Sequence, residues 1–118
     1  MAMRLDHVQV SSPPGSDEAM RAFYVGVLGM VEEPKPPRLA ARGGCWFRSG
    51  AAVIHTGVET DFRPARKAHP ALLVDDLDAL VVALGAAGAS VRWDDGIPGV
   101  RRLHTEDPVG NRLELIQA

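Results

Sequence analysis

The order of apolar runs constrains this chain more than any other feature, because the same order occurs twice. Each half begins with a short alternating run, continues through an amphipathic stretch that ends in glycine, and closes with further alternating runs. Alternation with period two marks a strand with one buried face, and apolar residues three to four apart mark a helix with one buried face. In the first half, RLDHVQV reads as a strand over 4–10, with Val8 and Val10 on one face and Leu5, His7 and Gln9 on the other. Ser16 is a candidate N-cap for a helix over 17–27, which brings Met20, Phe23, Tyr24 and Val27 together and stops at Gly29. A short strand over 30–33 leads into PKPP, which cannot lie inside a sheet. Strands follow near 38–42 or 44–48 and near 51–57, the last reached through a Ser49-Gly50 turn.

The second half repeats the plan. HPALLV is a strand, and DDLDALVVALGAAG is a helix capped by Asp75 or Asp76 and ended by Gly88. SVRWDD and VRRLHTE are strands, Asp107-Pro108-Val109-Gly110 fits a type I turn, and NRLELIQ is the last strand. The expected fold is α+β, with two tandem βαβββ modules at about 4–58 and about 68–118. A polar linker at about 59–67 joins them, within a single domain spanning 1–118.

Composition narrows the functions. The net charge of −2 argues against a nucleic-acid footprint. No apolar run is long enough to span a bilayer, and the first residues lack a signal-peptide core. Cys45 is the only cysteine, so an intrachain disulfide is excluded, and a reducing cytoplasm fits. Its apolar surroundings read as a small buried residue rather than a nucleophile.

Four ligand-capable side chains frame the two halves. His7 opens one strand and His55 closes another in the first, while His69 opens and Glu114 closes in the second. Neutral imidazole and carboxylate together suit Zn, Fe, Mn or Ni. Alternation places Leu113 and Leu115 toward the helix and Glu114 on the other face. The same reasoning puts Arg102 and His104 on the face of Glu114, and Trp46 with Arg48 on one face of the first half. A buried Glu114 carboxylate needs a cationic partner, which a metal or Arg102 could supply. Arg102 could instead clamp a substrate carboxylate or phosphate, or pair with Glu106 or an aspartate. His104 could move a proton, because imidazole titrates near neutrality. Trp46 and Trp93 read as core or cavity wall, and Arg63, Arg66 and Lys67 as a solvated loop.

LDHVQV, RAFYVGVLGM, HPALLVDDLDAL and DPVGNRLELI together resemble the vicinal oxygen chelate superfamily, which includes glyoxalase I, bleomycin-resistance proteins, fosfomycin-resistance transferases and extradiol dioxygenases. The resemblance covers nearly the whole chain. It implies paired βαβββ modules forming a cup-shaped mixed sheet around a divalent metal, with His7, His69 and Glu114 matching the family's His-His-Glu set. The glyoxalase branch adds a fourth ligand, normally Glu, where this chain has His55. The resemblance also implies a small-molecule substrate and a homodimer.

The expected function is a lyase, isomerase or transferase that depends on a divalent metal and acts on a small, oxygen-rich, metal-chelating substrate. Metal ligands would be His7, His55, His69 and Glu114. Glu114 and His104 would act catalytically, and Gln9, Trp46, Arg48 and Arg102 would bind substrate. Dioxygenation fits less well, because relatives of that type usually carry a second pair of modules. Fosfomycin-type thiol transfer lacks a match to that branch's cation-binding loop. The alternative is a metal-free protein that sequesters a small molecule or antibiotic.

Overall fold

Strand pairing in the computed structural model, which describes residues 1–118, follows the duplicated order. The chain divides into two compact units, residues 1–63 and 64–118. In the first, β1 (Val8–Ser12), β2 (Val31–Glu33), β3 (Trp46–Ser49) and β4 (Ala52–Val58) form a sheet of order β1-β4-β3-β2. Two helices, α1 (Asp17–Tyr24) and α2 (Pro37–Ala40), belong to the same unit. In the second, β5 (Ala71–Val74), β6 (Arg92–Asp94), β7 (Arg102–Glu106) and β8 (Arg112–Gln117) form a sheet of order β5-β8-β7-β6, with helix α3 (Leu77–Ala86). In each sheet the first strand runs parallel to the last, and the remaining pairings are antiparallel. This is an α+β fold of two four-stranded mixed sheets, with one βαβββ plan per sheet.

The core of the first unit is aromatic. Tyr24 on α1 stacks on Phe47 of β3 with ring centres 5.1 Å apart, and Phe23 meets Tyr24 edge-on at 5.2 Å. Met20, Ile54 and Cys45 fill the rest of this buried layer. Burial pushes the Cys45 thiol up to about 11, which leaves it a protonated packing group. Gly44 holds a position no other residue could take. Its φ is +84°, and a Cβ there would sit 2.2 Å from the Thr56 carbonyl oxygen. Its N–H donates to the Asp17 carboxylate at 3.1 Å, tying the segment before β3 to the start of α1. In the second unit, Leu77 and Leu84 of α3 and Leu103, Leu113 and Leu115 of the sheet are buried.

Several boundaries differ from the sequence reading. The first strand is 8–12 rather than 4–10. Its only neighbour is β4, Leu5 is exposed, and Ser11 and Ser12 join the ladder opposite Gly57 and Val58. α1 ends at Tyr24 rather than at 27, because around Gly26 the hydrogen bonds widen from four residues to five. Both Gly26 N–H to Arg21 O and Leu28 N–H to Phe23 O span five. No strand occupies 38–42. Pro37 instead starts the short helix α2, since a proline in the first turn loses no hydrogen bond and already has the helical φ. Ser16 precedes α1, but its hydroxyl donates to Pro13 O at 2.7 Å and caps nothing. Of the two readings for Trp93, core is excluded and cavity wall fits: the ring is half exposed on the edge strand β6, lines a pocket with Ile97 and Pro98, and has the Arg101 guanidinium 4.7 Å above it.

At α3 the two cap candidates separate cleanly. Asp76 Oδ1 accepts from Ala79 N–H at 3.0 Å, which is the N-cap bond. Asp76→Ala should therefore cost about 1 kcal/mol in urea unfolding. Asp75→Ala should change stability by less than about half of that. Equal losses from both substitutions would contradict the assignment.

Candidate functional site

Alternation along β8 sorts its side chains. Leu113 and Leu115 lie in the buried layer with α3, so Arg112, Glu114 and Ile116 share the opposite face. Register then sets their neighbours: His104 on β7 lies opposite Glu114, and Ala71 on β5 lies on its other side. His69, two residues before Ala71, completes the group.

Glu114 is buried, and both carboxylate oxygens are engaged. Oε1 lies 2.9 Å from His69 Nε2 and 3.5 Å from His104 Nε2, and Oε2 accepts from Arg102 Nη1 at 3.0 Å. Burial by itself would raise this carboxyl. Contact with His69, which donates to Oε1 when its ring carries both protons, and the hydrogen bond from Arg102 outweigh burial and hold Glu114 below the usual carboxylate range. Arg102 also pairs with Asp94 at 3.0 Å, so its guanidinium bridges two acids. His104 is held below the usual imidazole range by burial first and by the Arg112 charge second.

The contact between His69 and Glu114 tests whether a metal fits. His69 Nδ1 lies 2.8 Å from the Lys67 carbonyl, which can only accept, so Nδ1 carries the hydrogen. The neutral ring then turns a bare Nε2 lone pair toward a carboxylate oxygen 2.9 Å away. Two acceptors at that distance need a cation, either a proton on Nε2 or a metal ion. Imidazole oriented by a backbone carbonyl is also the usual arrangement of a metal-bound histidine. The donor atoms of His69, His104 and Glu114 lie within 4.8 Å of one another, close enough to hold one ion.

The first unit places different side chains at the matching register. His55 lies between Gln9 and Trp46 across the sheet, as Glu114 lies between Ala71 and His104. His7 stands two residues before Gln9, as His69 stands two before Ala71. The positions are equivalent, but the chemistry differs. Here the rings form a stack, with Trp46 4.5 Å from His55 and His55 4.1 Å from His7. Asp6 sits 2.8 Å from His7 Nδ1. Burial, then the neighbouring His7, hold His55 below the usual imidazole range. The stack lines a pocket of about 770 Å³ together with Gln9, Lys35 and Arg48. Arg48 also pairs with Glu33 at 3.0 Å.

The structure thus brings His69, His104, Arg102 and Glu114 together in the second unit, and His7, His55, Trp46, Gln9 and Arg48 around one pocket in the first. Two members of the polar face, Asp94 and Arg112, were not singled out from sequence. Arg112 could have been found, because it is two residues from Glu114 on the same strand and therefore on the same face.

Two titrations follow for metal-free protein. The folded state favours neutral His55 and His104, so below the ordinary value of 6.5 the unfolded chain takes up protons first and stability falls with pH. A second loss begins below the ordinary Glu value of 4.5, as the lowered Glu114 carboxyl is finally protonated. Urea unfolding across pH 7 to 3 should show both declines, and a flat profile would contradict them. In Arg102→Met, burial should dominate and lift Glu114 above the wild-type value, read by carbon NMR of the carboxyl. An unmoved titration would show that Arg102 does not hold Glu114.

Comparison with known proteins bears on the family. The family model for a glyoxalase-like domain matches residues 15–116. A Bacillus anthracis structure assigned to the glyoxalase family is 45% identical, covers 99% of this chain and 96% of its own, and superposes with a TM-score of 0.94. Two more distant structures share the fold. The fosfomycin resistance protein FosX of Listeria monocytogenes has 15% identity, coverage of 100% and 95%, and a TM-score of 0.77. Lactoylglutathione lyase of Agrobacterium tumefaciens has 19% identity, coverage of 94% and 92%, and a TM-score of 0.68. No curated protein sequence matches. With the duplicated plan, the mixed sheets and a family match over most of its length, the chain belongs to the glyoxalase-like family of the vicinal oxygen chelate superfamily.

Proposed function

We propose that the protein is a divalent-metal-dependent enzyme of lyase, isomerase or transferase type, acting on a small oxygen-rich substrate that chelates the metal. The observation that carries this reading is the approach of His69 Nε2 to Glu114 Oε1 at 2.9 Å, a contact that needs a cation between the two atoms while Nδ1 is held on the Lys67 carbonyl. His69 and Glu114 would hold the ion, and their donor chemistry suits Zn, Ni, Fe or Mn. His7 and His55 hold the matching positions of the first unit, and on that equivalence alone they stay candidate metal ligands. A bound ion would supply Lewis acidity toward a substrate oxygen. The chain's own residues do the rest. Lys67 O fixes the His69 ring, Arg102 holds Glu114 ionised, and His104 sits where a proton could pass. Trp46, Gln9 and Arg48 line the pocket proposed to receive substrate. A homodimer in the cytoplasm completes the reading. The single buried cysteine suits that compartment, and sedimentation velocity measures the assembly.

A second reading, a metal-free binder of a small planar molecule, has one observation in its favour: the three-ring stack lining the pocket of the first unit. Metal content separates the two. Tag-free protein incubated with Mn, Fe, Ni and Zn and then desalted should retain about one ion per chain. His69→Ala and Glu114→Gln should each reduce that to background. Absence of metal from the wild type after this treatment would sink the enzyme reading in favour of the binder.

A further inference from the structure

The two histidines beside Glu114 are held in opposite tautomers. His69 Nδ1 faces the Lys67 carbonyl at 2.8 Å and must donate. His104 Nδ1 faces Arg112 Nη2 at 2.9 Å, and a guanidinium can only donate. Two donors cannot meet at that distance, so His104 Nδ1 is bare and its hydrogen sits on Nε2. That nitrogen is sealed from solvent and has no hydrogen-bond partner. Glu114 Oε1 lies 3.5 Å from it, beyond a good N–H···O bond.

We propose that His104 is not a metal ligand but a positioning residue for Glu114, with Arg112 fixing the tautomer that makes it so. A metal needs the Nε2 lone pair, and Arg112 leaves Nε2 protonated. What His104 offers instead is an N–H aimed at Oε1, the oxygen shared with His69. A shift of a few tenths of an ångström turns this long contact into a hydrogen bond. When His69 turns its lone pair to a cation, His104 takes over as the neutral donor to Oε1 while Arg102 stays on Oε2. The carboxylate then keeps one fixed orientation with and without the ion. The chain Arg112, His104, Glu114 runs in a single donor-to-acceptor direction. It leaves His69 and Glu114 as the only two residues of this cluster with electron pairs to give.

The assignment concerns the tautomer and stands apart from the metal reading, so its test has two arms. Full-length protein labelled with nitrogen-15 at histidine is observed by long-range proton–nitrogen correlation, about two pH units above the usual imidazole range. The His104 signals are identified by their loss in His104→Gln. The expected wild-type pattern is the Nε2–H form, first in chelator-treated protein and again after zinc addition. Arg112→Met should admit the Nδ1–H form, and Arg112→Lys, which keeps a donor, should restore the wild-type pattern. A purely structural role for Arg112 would not produce that tautomer exchange and rescue.

Three results would overturn the proposal. These are an Nδ1–H pattern in chelator-treated wild type, conversion to that pattern on adding zinc, and an unchanged tautomer in Arg112→Met. The wild-type arms need no variant, so a poorly folded Arg112→Met leaves the proposal open to refutation. Zinc that leaves the His69 signals unmoved would count against the metal reading alone.

Discussion

A carboxylate taken out of water must be met by cations and donors, and Glu114 organises the second unit because it is met on both oxygens. Arg102 reaches Oε2 from the neighbouring strand, and His69 reaches Oε1 from the residues just before β5. Each of these partners is itself held, Arg102 by Asp94 and His69 by the Lys67 carbonyl. The polar face of the sheet is therefore a connected set rather than a scatter of ion pairs, and removing one member leaves another uncompensated. The leucine layer on the opposite face gives the strands the rigidity that such distances require.

The first unit shows what the same backbone does with different side chains. Equivalent positions carry rings in place of a carboxylate and its cations, and the result is a stack beside a sizeable pocket. Duplication has preserved the register while the chemistry has diverged. One unit offers a charged cluster suited to an ion, and the other offers flat surfaces and polar edges suited to an organic molecule.

Much of this was legible in the chain itself. Leu113-Glu114-Leu115 admits only one arrangement once a helix covers one face of the sheet. The glycine-ended helices and the DPVG turn announced the repeat, and Gly110 N–H indeed returns to Asp107 O at 3.0 Å. What stayed hidden depends on side-chain reach and on local alternatives of similar energy. PKPP reads as a breaker of strands, yet proline is also a good first residue for a helix. Ser11 and Ser12 look like loop residues, but the parallel ladder with β4 needs only their backbones. Arg112 is visible on the face of Glu114, but its bond to one particular nitrogen of His104 depends on where a long, flexible side chain ends.

The segment that precedes β8 sets the phase of everything discussed above. Asp107 accepts from the backbone N–H groups of Val109 and Asn111, and the Asn111 side chain returns a bond to Asp107 while accepting from Ala65 N–H. This clasp fixes which residue of β8 comes first into the ladder. Because successive residues of a strand face opposite ways, inserting or deleting one residue here would rotate Glu114 into the leucine layer and Leu113 or Leu115 into the cluster. The loop before β7, at 95–101, is held differently, by the Gly96 N–H bond to Asp94 and by the Arg101 side chain on Asp78, neither of which ties the backbone next to β7 as the Asp107–Asn111 clasp ties the start of β8. Length variation in this fold is thus channelled. Drift in that loop alters what surrounds the cluster, whereas a change in the Asp107–Asn111 clasp erases the cluster outright.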